Sequence, residues 1–309
     1  MGLTRSSVAT LLAGAALIAV PVHAQEADAG PAVGSELFVS TDSDDTTVIR
    51  LAGDFDLRND GDGRRLGVRV ENAWYDFDAL DTEQRQRVFL QAGDKAAGGW
   101  TWSASVGTDG DTVIGSATLH DDAKFRKEFF IERDIIETPL GLERELYSTF
   151  MGAAIDLPVD ERNTFTALAG FQEFSGSNER YHLRGSYIHV LKEDWGLSAQ
   201  LRGRYFHSSV PAEFDYYSPR NYVQVLPVLQ VRRFVDGWRL RAVGGIGAQK
   251  DSNSGWNQAN YAQLQVESPA GDPWTVGAEL TYSETPGRAA LLSEDYRFFQ
   301  TRVTVRRRF

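Results

Sequence analysis

Five histidines, 43 acidic residues and no cysteine bound the chemistry open to this chain of 309 residues. Without cysteine there are no disulfides, thiolate metal sites or thiol nucleophiles. His182 and Ser186 are four residues apart in an alternating segment. That places them about 13 Å apart on one strand face, too far for a base–nucleophile hydrogen bond. His189 has the opposite parity, and nothing local ties His207 to Asp215. Acids cluster at Asp42, Asp44 and Asp45, at Asp109 and Asp111, and in Asp60-Gly61-Asp62-Gly63. The last begins like a calcium loop but lacks the downstream glutamate at the EF-hand spacing. These clusters read as solvated turns. Neither catalysis nor a resident metal or cofactor is expected.

The cations are more informative. Lysine and arginine total 32, but only Lys95, Lys124, Lys127, Lys192 and Lys250 are lysines. The net charge of −11 argues against a nucleic-acid binder, which would be basic. The arginines stand in the middle of alternating segments. Leu197, Ala199, Leu201, Gly203 and Tyr205 alternate with Ser198, Gln200, Arg202 and Arg204, and Trp238, Leu240 and Ala242 alternate with Arg239 and Arg241. A period of two with one apolar face is a half-buried strand. A sandwich core would have Val or Leu where these arginines stand, whereas a barrel with a wet lumen accepts them.

Other features agree. Sixteen such segments are expected near 35–42, 46–57, 64–77, 83–93, 99–108, 112–120, 123–135, 144–156, 162–173, 179–191, 195–208, 219–233, 237–249, 256–267, 273–283 and 293–309. Many reach the roughly 9–11 residues of a tilted transmembrane strand. Tight turns alternate with longer links such as 136–143, 209–218, 250–255 and 284–292, as in outer-membrane barrels with short periplasmic turns. Trp100, Trp102, Trp195, Trp238, Trp256 and Trp274 fall near strand ends, where an interfacial girdle would lie. Mean hydropathy is −0.34, which excludes a helical membrane bundle. At the N-terminus Arg5, the apolar stretch 8–20 and Val22-His23-Ala24 read as a secretory signal peptide. The expected organisation is a signal peptide over 1–24, a short disordered lead over 25–34 and a barrel over 35–309. The fold class is all-β, a transmembrane antiparallel barrel of about 16 strands, with 14–18 open, in the outer membrane of a Gram-negative bacterium.

Giving each strand's apolar face to lipid puts Arg180, His182, Arg184, Gln200, Arg202, Arg204, Gln224, Gln230, Arg232, Arg239, Arg241, Gln263, Gln265, Arg302 and Arg306 inside. Arg69, Glu71, Arg87, Gln91, Lys124, Arg126, Glu128 and Glu132 join them from earlier strands. Two compatible readings follow. Arg and Glu on neighbouring strands brace the wall, with Glu279 and the early acids neutralising part of the stripe. Or the guanidinium forks and amides line a path for anions or sugar hydroxyls.

Phe214-Asp215-Tyr216-Tyr217-Ser218-Pro219-Arg220-Asn221-Tyr222 runs from a link into a strand. It resembles the Tyr-Tyr/Phe-Ser-Pro-x-x-Tyr motif in the C-terminal barrels of exopolysaccharide exporters, the cellulose-secretion subunit and the poly-N-acetylglucosamine export porin among them. The resemblance spans about the last 140 residues and implies a stand-alone relative of those barrels. Tyr216, Tyr217, Pro219 and Tyr222 would then form a rim motif. Arg180, Arg184, Arg202, Arg204, Arg239, Arg241, Gln224, Gln263 and Gln265 would line the path. The named exporters carry a long periplasmic helical-repeat region before the barrel, whereas only about ten residues precede the first expected strand here. A separate periplasmic scaffold is therefore expected as a partner, beside the glycan, outer-membrane lipid and lipopolysaccharide. The leading expectation is passage of an exopolysaccharide or other hydrophilic polymer. The alternatives are a general or anion-preferring porin, and a non-conducting structural or adhesion barrel.

The chain ends Val303-Thr304-Val305-Arg306-Arg307-Arg308-Phe309. A terminal aromatic closing an amphipathic strand resembles the signal read by the barrel-assembly machinery, with Phe309 in the lipid-facing row of Val303 and Val305. Deleting Phe309 should lower the heat-modifiable folded form on a gel severalfold. Wild-type folded yield would show that insertion is directed from elsewhere.

Overall fold

The computed structural model describes residues 30–309 except 62, 79, 97, 270–271 and 286–295. The strands are β1 (Gly30–Asp42), β2 (Thr47–Asn59), β3 (Arg65–Asp76), β4 (Glu83–Ala96), β5 (Trp100–Thr108), β6 (Val113–Asp121), β7 (Lys127–Ile135) and β8 (Tyr147–Pro158). They continue as β9 (Asn163–Phe174), β10 (Glu179–Lys192), β11 (Leu197–Ser208), β12 (Asn221–Val235), β13 (Trp238–Asp251), β14 (Asn257–Glu267), β15 (Trp274–Thr285) and β16 (Tyr296–Arg308). One short helix, α1 (Pro139–Glu143), lies between β7 and β8. Each strand pairs antiparallel with its sequence neighbours, and β1 pairs with β16 to close the barrel, from Ala32 opposite Arg308 to Asp42 opposite Phe298.

Closure and alternation together explain the distribution of residues. Leu90 and Ile246, each 69% exposed, belong to an apolar outer surface with Leu51, Phe55, Leu201 and Leu229. In water so broad an apolar surface would be an aggregation hazard; in lipid it matches its solvent. The residues between them turn inward and are mostly buried or half-buried. Trp100, Trp102, Trp195, Trp238 and Trp274 collect at the rim of short turns, and Trp256 stands at the opposite rim. The sharpest turn is Asp236-Gly237, at φ 50° and 81°. Positive φ at both positions matches the twist of a two-residue hairpin, which Asp-Gly supplies with little strain.

Sixteen strands are present as expected, with two adjustments. β1 opens at Gly30, so 30–34 are paired strand rather than lead. Residues 25–29 and the signal peptide expected over 1–24 lie outside the described residues. β7 starts at Lys127, which leaves Lys124 and Arg126 in the connection from β6, with the Lys124 ammonium over the Phe125 ring. The long link 286–295 also falls outside the described residues. β1 starts and β16 ends at the short-turn rim, together with Asp236.

This topology puts Ser209 and Asp236, both exposed, on opposite sides of the membrane. A cysteine at Ser209 should label with a membrane-impermeant maleimide on intact cells, and one at Asp236 only after permeabilisation. The reverse pattern would invert the barrel.

Candidate functional site: the lumen and its mouth

The lumen has two unlike sectors. On β1 to β4 and β16 the charges are matched. Arg65 bonds Asp54 at 3.0 Å and Asp56 at 2.8 Å. Arg69 reaches Glu36 at 2.7 Å and Glu71 at 3.1 Å. Arg306 lies 3.4 Å from Asp54, and Arg87 lies 3.2 Å from Asp134 and 3.5 Å from Glu71. This is the bracing ladder. An unpaired charge here would be costly, and several partners per charge offset the desolvation.

On β10 to β13 the arginines are held differently. Arg202 donates through Nε and Nη2 to Gln200 Oε1, at 3.0 and 2.9 Å. Gln200 Nε2 donates to Gln230 Oε1 at 3.3 Å, and Arg241 Nε donates to the same oxygen at 3.0 Å. Arg204 sits 5.5 Å from the Tyr222 ring centroid and 5.8 Å from that of Phe206, and Arg202 sits 5.5 Å from Tyr261. Among the described residues no carboxylate forms an ion pair with Arg202, Arg204 or Arg241. Glu279 does not approach them to ion-pair distance, and the early-strand acids reach the inward arginines of the later strands at Arg302 and Arg306, through Glu36, Asp54 and Asp56.

Arg239 departs from its expected place in that stripe, because it forms an ion pair with Glu267. Arg180 departs as well. It is 4% exposed, donates to Ser208 Oγ at 3.1 Å and to the Tyr217 carbonyl at 2.6 Å, and lies against Phe174 and Phe206. It clamps the rim rather than facing the path. Gln265 donates to Glu267, while Gln224 and Gln263 line the cavity with Arg184, Arg202, Arg204 and Arg241. That cavity measures about 560 Å³ and runs along β6 to β16, with Glu128, Glu132 and Asp156 on the wall of β7 and β8.

The rim motif is assembled as one unit. Tyr216 stacks on Phe174 at 4.4 Å and accepts a 2.9 Å hydrogen bond from Asn178. Tyr217 donates to Asp251 at 2.7 Å, and Tyr222 stacks on Phe206 and donates to Gln249 at 2.9 Å. Pro219 is fully buried two residues before β12 begins, where its fixed φ directs the chain into the strand. Burial pushes the Tyr216 phenol up to about 12 and, with the Asp251 carboxylate beside it, raises that of Tyr217, so both act as neutral groups at the rim.

The link 136–146, which carries α1, folds inward. Leu142 joins one buried cluster with Val48, Ala73, Tyr75 and Phe89 from the inner faces of β2 to β4. Glu137 ion-pairs with Arg50, and the Leu142 carbonyl accepts from Arg85 at 2.8 Å. At its other side Thr138 Oγ1 donates to Asp215 at 2.5 Å and the Leu140 N–H donates to the same carboxylate at 2.8 Å. The link is thus fastened at two ends across part of the mouth. Sequence reading missed this. The available signal was the apolar set Val48, Ala73, Tyr75 and Phe89 at lumen-facing positions, since apolar groups facing a wet lumen imply a cover.

The candidate chemistry residues are tied to structural partners. His182 Nε2 meets Gln172 at 3.2 Å, and His207 Nδ1 meets Asn221 at 2.9 Å rather than Asp215. The acids of the turns cap backbone: Asp42 accepts from Asp44 and Thr46, Asp60 from Arg64, and Asp109 from Asp111 and Thr112.

No protein-family model and no curated protein matches the chain. Solved structures do. One described as a bacterial polysaccharide outer membrane secretin superposes with a TM-score of 0.63 at 13% identity, over 90% of this chain and 98% of that one. Acinetobacter baumannii OccAB3 superposes at 0.46 with 10% identity, over 91% of this chain and 100% of its own. Pseudomonas aeruginosa OprD does so at 0.44 with 9% identity, over 90% and 95%. The last two are too remote to carry an argument. The first shares the barrel fold, in agreement with the resemblance read from Tyr216 to Tyr222. The fold is that of an outer-membrane β-barrel.

Replacing Asp215 by Ala removes both bonds to the inward link and should cost about 2 kcal/mol locally, roughly a 30-fold rise in link opening. The check is trypsin cleavage after Arg144, which is exposed in that link. Cleavage should accelerate while the barrel keeps its resistance to detergent. An unchanged cleavage rate would show that Asp215 does not hold the link.

Proposed function

We propose that this chain is an outer-membrane channel for a hydrophilic polymer, an exopolysaccharide. The observation that carries this reading is the cavity along β6 to β16, where hydroxyl, amide and guanidinium groups from Thr118 and Thr166 to Gln224, Gln263 and Gln300 are spaced among apolar side chains such as Phe130, Phe150 and Leu226. Amides and hydroxyls exchange hydrogen bonds with sugar hydroxyls much as water does, so a glycan can pass without a deep binding well. The shared fold with a polysaccharide export barrel supports the same reading, as does the rim motif. Outer-membrane lipid would contact the apolar exterior, and a separate periplasmic protein would deliver the polymer to the short-turn rim. No step of this function calls for catalysis.

One observation favours a second reading. The two-ended fastening of 136–146 narrows the mouth and would suit a barrel that does not conduct. Planar-bilayer recording separates the two. The channel reading expects current steps that grow when Asp215→Ala and Glu137→Gln release the link, with transient blocks by neutral oligosaccharides. Silence in both the wild type and the released variant would overturn it in favour of a closed structural barrel. Current never blocked by oligosaccharides would point instead to a porin for small solutes.

A further inference from the structure

We infer that the inner wall of β10 to β13 is a binding track for the anionic groups of an acidic glycan. The inference rests on the channel reading for what enters the lumen and adds the class of polymer. Four observations carry it. The first is the nature of the partners. Gln200 and Gln230 accept from Arg202 and Arg241, which orients both guanidinium groups while leaving their charge intact. A carboxylate in the same place would have cancelled it, as Glu267 does for Arg239.

The second is the aromatic contacts. Tyr222 and Phe206 face Arg204, while Tyr261 lies 5.5 Å from Arg202 and also accepts a hydrogen bond from it. A ring face attracts the cation without taking up the in-plane N–H donors that would grip a carboxylate or phosphate. The buried Nε of Arg204 accordingly has no hydrogen-bond partner among the described residues.

The third is register. Arg184 stands directly opposite Arg204, and Arg232 directly opposite Arg241. Like charges facing across strands concentrate positive potential on this stretch of wall. The fourth is the opposing wall. The acids lining this cavity are Glu128, Glu132 and Asp156 on β7 and β8, and Glu284 at the far end of β15, where Asn260 donates to it at 2.6 Å; Glu279 is also on β15. Glu128 is paired with Arg126 at 2.9 Å, and Asp156 accepts from Thr166 at 2.7 Å. The field therefore runs across the lumen and turns the anionic edge of a passing chain toward β10 to β13.

The test is equilibrium binding to the folded full-length barrel in detergent, which does not depend on conduction. A tetrasaccharide of hexuronate residues should bind at least about tenfold tighter than its carboxyl-reduced counterpart, the ratio expected from one charge-assisted hydrogen bond. The preference should shrink between 0.01 M and 1 M salt, as the Debye length falls from about 30 to about 3 Å. Inorganic phosphate should compete if the track reads any oxoanion, and should not if it reads carboxylate geometry; either result leaves the track in place. Arg202→Gln with Arg204→Gln should abolish the preference, whereas Arg58→Gln at the short-turn rim should retain it. If the double variant does not give the heat-modifiable folded form, Arg202→Lys with Arg204→Lys keeps the charge and should weaken the preference severalfold. Equal binding of charged and reduced tetrasaccharides by the wild type, or binding of phosphate with no uronate binding, would overturn the acidic track. The bilayer recordings would then still decide the channel reading by themselves.

Discussion

The constraint on which this structure depends is that no backbone N–H or C=O facing lipid can go without a partner. Each unsatisfied group would cost several kcal/mol, and a sheet satisfies them all only by closing on itself. The pairing of β1 with β16 over the full strand length meets that requirement. Once the sheet is closed, the two-residue side-chain period divides the chain between lipid and lumen. A slip of one residue in any pair would exchange Leu201 for Arg202 at the lipid surface, so the register is strongly specified.

Closure leaves the interior to be filled or kept wet, and the chain does both. In the β1 to β4 sector, networks such as Arg65 with Asp54 and Asp56 occupy the lumen with matched charge. The inward link covers the apolar patch above them. In the β10 to β13 sector, amides and rings hold Arg202, Arg204 and Arg241 with no ion pair among the described residues. Ion-paired and amide-held charge are thus separated around the circumference of one barrel, with the neutral inner face of β9, Thr164, Thr166 and Leu168, between the acids of β7 and β8 and the arginines.

The mouth connects these sectors. Asp215 fastens the inward link, and its neighbours Tyr216 and Tyr217 bind Phe174, Asn178 and Asp251. The loop-to-strand motif that resembles exporter barrels is therefore also the joint between the long links and the wall. A change at Pro219 or Tyr216 would disturb the link that covers β2 to β4, on another part of the circumference.

Alternation made the strands legible, along with their number and the facing of each side chain, because a half-buried strand carries its orientation in its own residues. Arg202, Arg204, Arg241 and Gln224 were placed inward from parity alone. What parity could not supply is the partner across the wall. Arg239 and Arg241 share one strand and one face, yet one meets Glu267 and the other Gln230, because the register with the strand on either side decides which groups meet. The inward fold of 136–146 was likewise closed to sequence reading. A link carries no periodic signal, and its position is set by apolar and ionic contacts with β2 to β4, about 90 residues earlier in the chain. The sequence by itself determined a barrel with an arginine-rich wet face. Only the tertiary structure decided which arginines are braced by acids and which are held by amides and rings, since charge compensation is a property of neighbours in space.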